Sequence, residues 1–335
     1  MRFAFYLAIL FGATLLSAAG VWLLPRSRKA IWLIAVGLGC MLLASAVKAR
    51  DLVSELRGQM TAIQDDLSHL RAASTHSTIN LYELRAEEFT RELLAQDKYK
   101  DPRNLNRYEA KIYSQAGEDG IIAEIFRRIG TTSKDFVEFG SGDGRENNTV
   151  SLLTTQGWKG LWIEGDDAAV GRARQAFADY VDAGTLRVDP AFITAENIET
   201  LFRNAKVAPE FDLLSVDIDR NDYYVWQNIR QFRPRVVVVE YNAIFPPDVA
   251  WVVPYDANAW WDLTSRHGAS LGALEQLGRE KGYVLVGCSL SGVNAFFVRA
   301  DLVGNKFLTP STAAVHYEPP RYFLISRALG HPRRP

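Results

Sequence analysis

Cysteine is scarce in this 335-residue chain, which has only Cys40 and Cys288. The pair suggests no disulfide framework, and neither residue stands in a His, Cys or acidic cluster at zinc spacing. No charge of one sign is in excess, with 38 basic residues against 39 acidic ones. That balance removes the electrostatic argument for a nucleic-acid partner. Histidine is rare too, and His267 is the only one between residues 108 and 305. It reads as a helix-start residue, with a general base as the alternative. The dinucleotide fingerprint Gly-x-Gly-x-x-Gly is also missing. From Gly140 the chain runs Gly-Ser-Gly-Asp-Gly-Arg, so Arg145 occupies the sixth position. A nicotinamide oxidoreductase is disfavoured on that ground.

Apolar sequence, by contrast, is abundant near the start. Residues 3–24 are almost wholly apolar, and residues 30–47 form a second such run. Pro25, Arg26, Ser27, Arg28 and Lys29 separate them. A helix needs about 20 apolar residues to cross a hydrocarbon core of about 30 Å. The two runs predict a transmembrane helical hairpin over residues 1–48, and so a multi-pass membrane protein. A signal peptide ending near Ala19 and an interfacial second helix are the alternatives. Counting basic residues on each side of the runs puts both termini in the cytoplasm.

Residues 49–100 read as a helical stalk. Val53, Leu56, Met60, Ile63, Leu67 and Leu70 alternate in spacings of three and four. Those are the a and d positions of about three heptads. They predict either a parallel coiled coil that joins two copies through residues 53–70, or one amphipathic helix packed on its own domain. Gly58 weakens the pattern, and residues 72–78 interrupt it. Leu81, Leu84, Phe89, Leu93 and Leu94 resume it as a second helix. Asp101-Pro102-Arg103-Asn104 reads as a linker.

From Tyr108 the chain alternates strands and helices. Strands are predicted over residues 135–139, 161–166, 185–189, 211–219, 235–240, 282–288 and 294–299. The valine run at 236–239 suits a strand buried on both faces. Only a short Gly-bearing loop separates the last two strands, so they should pair antiparallel. The fold class is therefore α/β: a Rossmann-like, mostly parallel seven-stranded sheet with a terminal antiparallel hairpin, spanning residues 108–305. Residues 306–335 form an irregular tail.

The organising stretch is Asp135-Phe-Val-Glu138-Phe-Gly140-Ser-Gly142-Asp-Gly144. Acidic-x-Gly-x-Gly-x-Gly resembles the first motif of class I S-adenosylmethionine (SAM) methyltransferases. The resemblance implies that Glu138, Gly140, Ser141, Gly142 and Gly144 surround the amino-acid part of SAM. Ligands in such sheets lie outside the carboxyl ends of the strands. Glu164 then accepts the ribose hydroxyls, and Asp189 reaches the adenine. Asp217 and Asp219 follow strand four, and Glu240 and Asn242 follow strand five. Asp219, or Asp217, acts as a general base on a hydroxyl. Alternatively, Asp217, Asp219, Glu240 and Asn242 hold Mg²⁺. That layout resembles metal-dependent O-methyltransferases such as the catechol enzymes. Trp251 and Tyr255, in an aromatic insert with Trp260 and Trp261, are candidates for a substrate lid over a sugar, for core packing or for a dimer patch.

Residues 108–305 as a whole resemble the FkbM-like branch of these enzymes. The matching phrases are Tyr113-Ser-Gln-Ala-Gly-Glu-Asp-Gly120, Phe136 to Gly144, Trp162-Ile-Glu-Gly-Asp166, Leu214-Ser-Val-Asp-Ile-Asp219, Val239-Glu-Tyr-Asn242 and Asn294-Ala-Phe-Phe-Val-Arg299. The resemblance implies SAM-dependent O-methylation of a sugar or secondary-metabolite hydroxyl. Arg220 departs from the Gly that follows Asp-Ile-Asp in relatives. An anchor suggests a membrane-proximal acceptor such as a glycolipid or lipid-linked sugar, because tethering raises local concentration. SAM is cytosolic, which also favours a cytoplasmic catalytic domain. The alternative reading is a non-catalytic membrane scaffold of the same fold, dimerised by its coiled coil.

Overall fold

A computed structural model of the chain describes residues 26–325. The first apolar run, residues 3–24, lies outside the described residues. The chain divides into two compact units between Thr78 and Ile79.

Helix α1, Arg26–Leu94, starts within the basic stretch expected as a hairpin loop and continues for 69 residues. It passes through residues 72–78, where the sequence pattern predicted a break. That stretch contains no Pro or Gly to break a helix. Thr78 Oγ1 donates to the Ser74 carbonyl at 2.9 Å, a bond compatible with helical backbone. The expected second helix is the end of the first. Within α1, Ile31–Ala72 is the one helical stretch among the described residues long and apolar enough to cross a membrane, by length and composition.

The second unit is the α/β body. Its elements after α1 are α2 (Glu118–Ile129), β1 (Asp135–Phe139), α3 (Val150–Gln156), β2 (Lys159–Glu164), α4 (Asp167–Ala176), α5 (Ala178–Asp182) and β3 (Leu186–Pro190). There follow α6 (Ile198–Ala205), β4 (Leu213–Val216), α7 (Asp222–Asn228), β5 (Val236–Glu240), α8 (Leu271–Glu280), β6 (Tyr283–Cys288), β7 (Asn294–Arg299), α9 (Ala300–Val303) and α10 (Ala313–His316). The seven strands lie in the order β3-β2-β1-β4-β5-β7-β6. The first five are parallel, and β7 enters antiparallel between β5 and β6. This is a Rossmann-like, mostly parallel sheet with a terminal antiparallel hairpin, as expected. The terminal hairpin sets it apart from a plain dinucleotide-binding sheet.

Side-chain alternation builds the two faces. Val237 and Val239 of β5 pack in one apolar cluster, whereas Val236 and Val238 pack in the other. All four are 0% exposed, as a strand covered on both faces requires. β4 is shorter than its sequence suggested and ends at Val216, so Asp217 and Asp219 stand beyond the sheet. Residues 306–325, read from the sequence as part of an irregular tail, include the short helix α10 and pack on the body. Phe307, His316 and Glu318 are buried, and Glu318 accepts the Tyr99 hydroxyl at 2.8 Å.

Strand order reverses at β1, which has β2 on one side and β4 on the other. A crevice opens at such a switch point, outside the carboxyl ends of the strands. Gly140 sets its floor. It has φ +65°, and a Cβ there would overlap the Asp217 carbonyl oxygen. Gly142 has φ +55° but open space around it. Gly140→Ala should therefore destabilise the fold by at least about 2 kcal/mol, combining overpacking with backbone strain. Gly142→Ala should cost only about 1 kcal/mol, from backbone conformation alone. Denaturant midpoints of the two variants check this, and equal losses would contradict it.

Candidate active site

The site grows from the turn after β1. The Gly142 N–H donates to Glu164 Oε2 at 2.8 Å. The other Glu164 oxygen accepts the Asp166 N–H at 2.9 Å. Glu164, the last residue of β2, is thereby fixed against the glycine turn. Each carboxylate oxygen keeps further acceptor capacity.

These groups line a cavity of about 310 Å³. Gly140, Gly142 and Glu164 form one wall, and Asp217, Asp219 and Asn221 form another. Phe192 and Ile193, after β3, and Trp260, from the insert, complete it. Phe192 and Trp260 pack ring to ring, with centroids 5.1 Å apart. The volume falls within the range of small-molecule sites.

Glu138 has a different place from the one its motif implied. It is buried on the opposite face of β1 from Val137 and Phe139, beside Trp162 in the register. Its carboxylate accepts the Asn148 N–H at 2.8 Å and the Thr149 hydroxyl at 2.5 Å. Thr149 Oγ1 in turn accepts Trp162 Nε1–H at 2.8 Å. Glu138 thus positions the turn that leads from the glycines into α3. Asn147-Asn148-Thr149 is formally a glycosylation sequon, yet all three residues are buried in this network. Ser141 is buried behind the turn, and Gly144 is a packing glycine whose Cβ would meet the Trp162 and Phe177 rings.

Several other predicted residues lie outside the cavity. Asp189 pairs with Arg187 at 2.7 Å, since residues two apart on a strand share a face. Residues 192 and 193, which follow β3, line the cavity, whereas Asp189 does not. Trp251 stacks on Phe245 with centroids 4.5 Å apart. The Tyr255 hydroxyl donates to Glu196 at 2.6 Å and accepts the Ala195 N–H at 3.2 Å. Both aromatics hold the insert, and Trp260 is its ring at the cavity. Asn242 donates to the Ser265 and His267 carbonyls at 2.8 and 2.9 Å, tying down the return from the insert.

Beside the cavity, carboxylates crowd. Asp217, Asp219 and Glu240 each offer an oxygen within 4.8 Å of the others. Burial, then Asp222 and Asp219, push the Asp217 carboxyl well above its usual range. Burial, then Asp217, does the same to Glu240. Burial and the charge of Glu164 raise Asp219, against the opposing pull of His267. Asp219 also sits at φ +65°, a conformation that non-glycine residues rarely adopt. The Gly-to-Arg departure at residue 220 therefore follows directly on a strained position. His267 was read as a helix-start residue, but α8 starts at Leu271. Its Nδ1 lies 3.9 Å from Glu240 Oε2, an oxygen with no hydrogen-bond partner among the described residues. Burial lowers the His267 pKa. Asn221 is also buried. Its amide donates to the Asp256 carbonyl at 2.9 Å, while its Oδ1 has no partner among the described residues. No periodicity marks Phe192, Asn221 or Trp260. The signal for the first was only its place just after a strand end.

Comparison with family models and with curated proteins finds no match. Solved structures of similar fold include the CurJ carbon methyltransferase, at TM-score 0.38 and 11% identity, covering 58% of this chain and 57% of that one. The mitomycin 7-O-methyltransferase MmcR matches at TM-score 0.32 and 14% identity, covering 53% and 54%. The N-terminal domain of EvdMO1, with SAH bound, matches at TM-score 0.36 and 14% identity, covering 65% and 94%. The match thus spans little more than half the length of CurJ or MmcR.

Burial raises the Glu138 pKa to about 7. A carboxyl raised in the folded state stabilises fully below its unfolded pKa, and that contribution is lost as pH rises through about 7. Glu138→Gln lacks this titration. Relative to wild type, it should gain about 2–3 kcal/mol of stability between pH 5 and pH 8. Denaturant unfolding at both pH values tests this, and parallel pH profiles would refute it.

Proposed function

We propose that this chain is a SAM-dependent methyltransferase that acts on oxygen, anchored to a membrane by its N-terminal segment. The observation that carries the reading is Glu164. Its carboxylate is fixed at the end of β2 by the Gly142 amide and faces a cavity at the sheet's switch point.

The lining suits the cofactor part by part. Remaining acceptor capacity on Glu164 matches the two ribose hydroxyls. Ile163, Phe192 and Ile193 offer apolar surface to a flat base. The open backbone at Gly142 admits a close approach. A cationic sulfonium beside Asp217 and Asp219 would favour their ionised forms and offset the burial that raises them. When bound, SAM supplies a methyl group on a positively charged sulfur. The chain's own task is to hold an acceptor hydroxyl in line with it, and positioning of that kind lowers barriers substantially. Asp219 is the first candidate to hold or deprotonate that hydroxyl, and Asp217 is the second.

A divalent cation is the second reading. Three carboxylates within 4.8 Å form a hard-oxygen donor set of the type Mg²⁺ takes. Asp217, Asp219 and Glu240 would hold it, and the ion would orient the acceptor oxygen. Asn242 is the weakest member of the expected set, because its side chain is tied to residues 244, 265 and 267.

The acceptor class we favour is a sugar or lipid-linked sugar at the cytoplasmic membrane face, reached by a catalytic domain over residues 108–305. The experiment is transfer of labelled methyl from SAM to a panel of free and lipid-linked sugars. Asp219→Asn should lower turnover by about 10²–10⁴-fold. Loss of turnover in EDTA, restored by Mg²⁺, would select the cation reading. Full activity of Asp219→Asn would sink the assignment, and no transfer to any acceptor would favour a non-catalytic scaffold.

A further inference from the structure

We infer that the α1 stalk is one strand of a parallel, in-register two-helix coiled coil formed with a second copy of this chain. The first ground is exposure. Val53, Leu56, Met60, Ile63, Leu67 and Leu70 are 48–66% exposed, although they form one apolar stripe on a helix. Monomeric proteins rarely leave such a contiguous patch open to water.

The second ground is charge. With Val53, Met60 and Leu67 at a, the e positions are Arg57, Gln64 and Arg71. The g positions are Leu52, Gln59 and Asp66. In a parallel pair, each g residue meets the e residue five positions on in the partner, so Asp66 meets Arg71 of the second copy. Antiparallel packing would instead set the e row, with its two arginines, against itself. The e and g rows therefore select both partner and direction. Gly58 falls at f, on the outer face, with nothing within 4 Å of a Cβ built there. Its cost is one of helix propensity alone and leaves the seam intact.

The third ground is continuity. The same positions counted back along α1 are Ala49, Ala46, Leu42, Gly39, Ala35 and Trp32. Large apolar residues thus line the seam from Val53 to Leu70, and mostly small ones, Leu42 apart, line it over residues 35–49; both parts lie in the helical stretch Ile31–Ala72. Small residues let helices approach closely where no hydrophobic force drives association. In sequence, the register also resumes at Leu81 and Leu84.

The test uses the full chain in detergent, with its mass measured by light scattering. The expected protein mass is twice the 37.5 kDa of one chain. Asp66→Arg and Arg71→Asp should each weaken the dimer at least about tenfold by setting like charges opposite each other. The double swap should restore it. Ile63→Glu should give monomers with unchanged helical circular dichroism. A monomeric wild type would overturn the proposal. So would single swaps that leave the dimer unaffected, or a double swap that fails to restore it.

Discussion

The close contact between Gly140 and the carbonyl of Asp217 is the constraint on which the site depends. It brings the ends of β1 and β4 together at the point where strand order reverses. Only a residue without Cβ fits there. Because that contact holds, the glycine turn reaches Glu164 on one side and the Asp217–Asp219 segment lines the cavity on the other. The strained φ of Asp219 arises where the chain leaves this contact. Strain of that sort persists only where surrounding structure enforces it.

Around this contact the molecule separates supporting residues from those that line the cavity. Glu138, Thr149 and Trp162 form a buried polar chain behind the turn. Asn242 and Tyr255 do the same for the insert. The cavity then presents few polar groups, chiefly Glu164, Asp217, Asp219 and Asn221. Crowded carboxylates there are costly without a positive partner, since each raises the pKa of the next. That cost is physically consistent with a site built for a cationic ligand, and it agrees with the proposed reading.

Much of this was legible in the sequence because the fold's signals are local. Apolar runs ending in acid or glycine marked the first five strands, and the short Gly-bearing loop marked the terminal hairpin. The valine run of β5 showed burial on both faces. Gly140 and Gly142, singled out by a motif resemblance, and Glu164, singled out by its strand-end position, line the cavity. What the sequence obscured depends on side-chain direction. Glu138 reads as a ligand by motif, yet strand alternation turns it into the core. Asp189 pairs with Arg187 on its own strand face, Trp251 stacks on Phe245 within the insert, and Tyr255 bonds to residues 195 and 196. Phe192, Asn221 and Trp260 reach the cavity only through loop geometry, which carries no period. Residues 72–78 broke the apolar pattern without breaking the helix, because small polar residues interrupt a stripe while still permitting helical backbone. The acid cluster at Asp217, Asp219 and Glu240 was expected, but His267 entered it through the return of the insert.

The most direct test of the central claim is calorimetric titration of SAM into the full chain in detergent, for wild type and for Glu164→Ala. The account predicts one site per chain, with a dissociation constant on the order of micromolar for wild type. It predicts at least about tenfold weaker binding for the variant, which loses two hydroxyl acceptors. Wild-type binding that Glu164→Ala leaves unchanged would contradict the placement of the ligand. No binding by a folded wild-type sample would contradict the function itself.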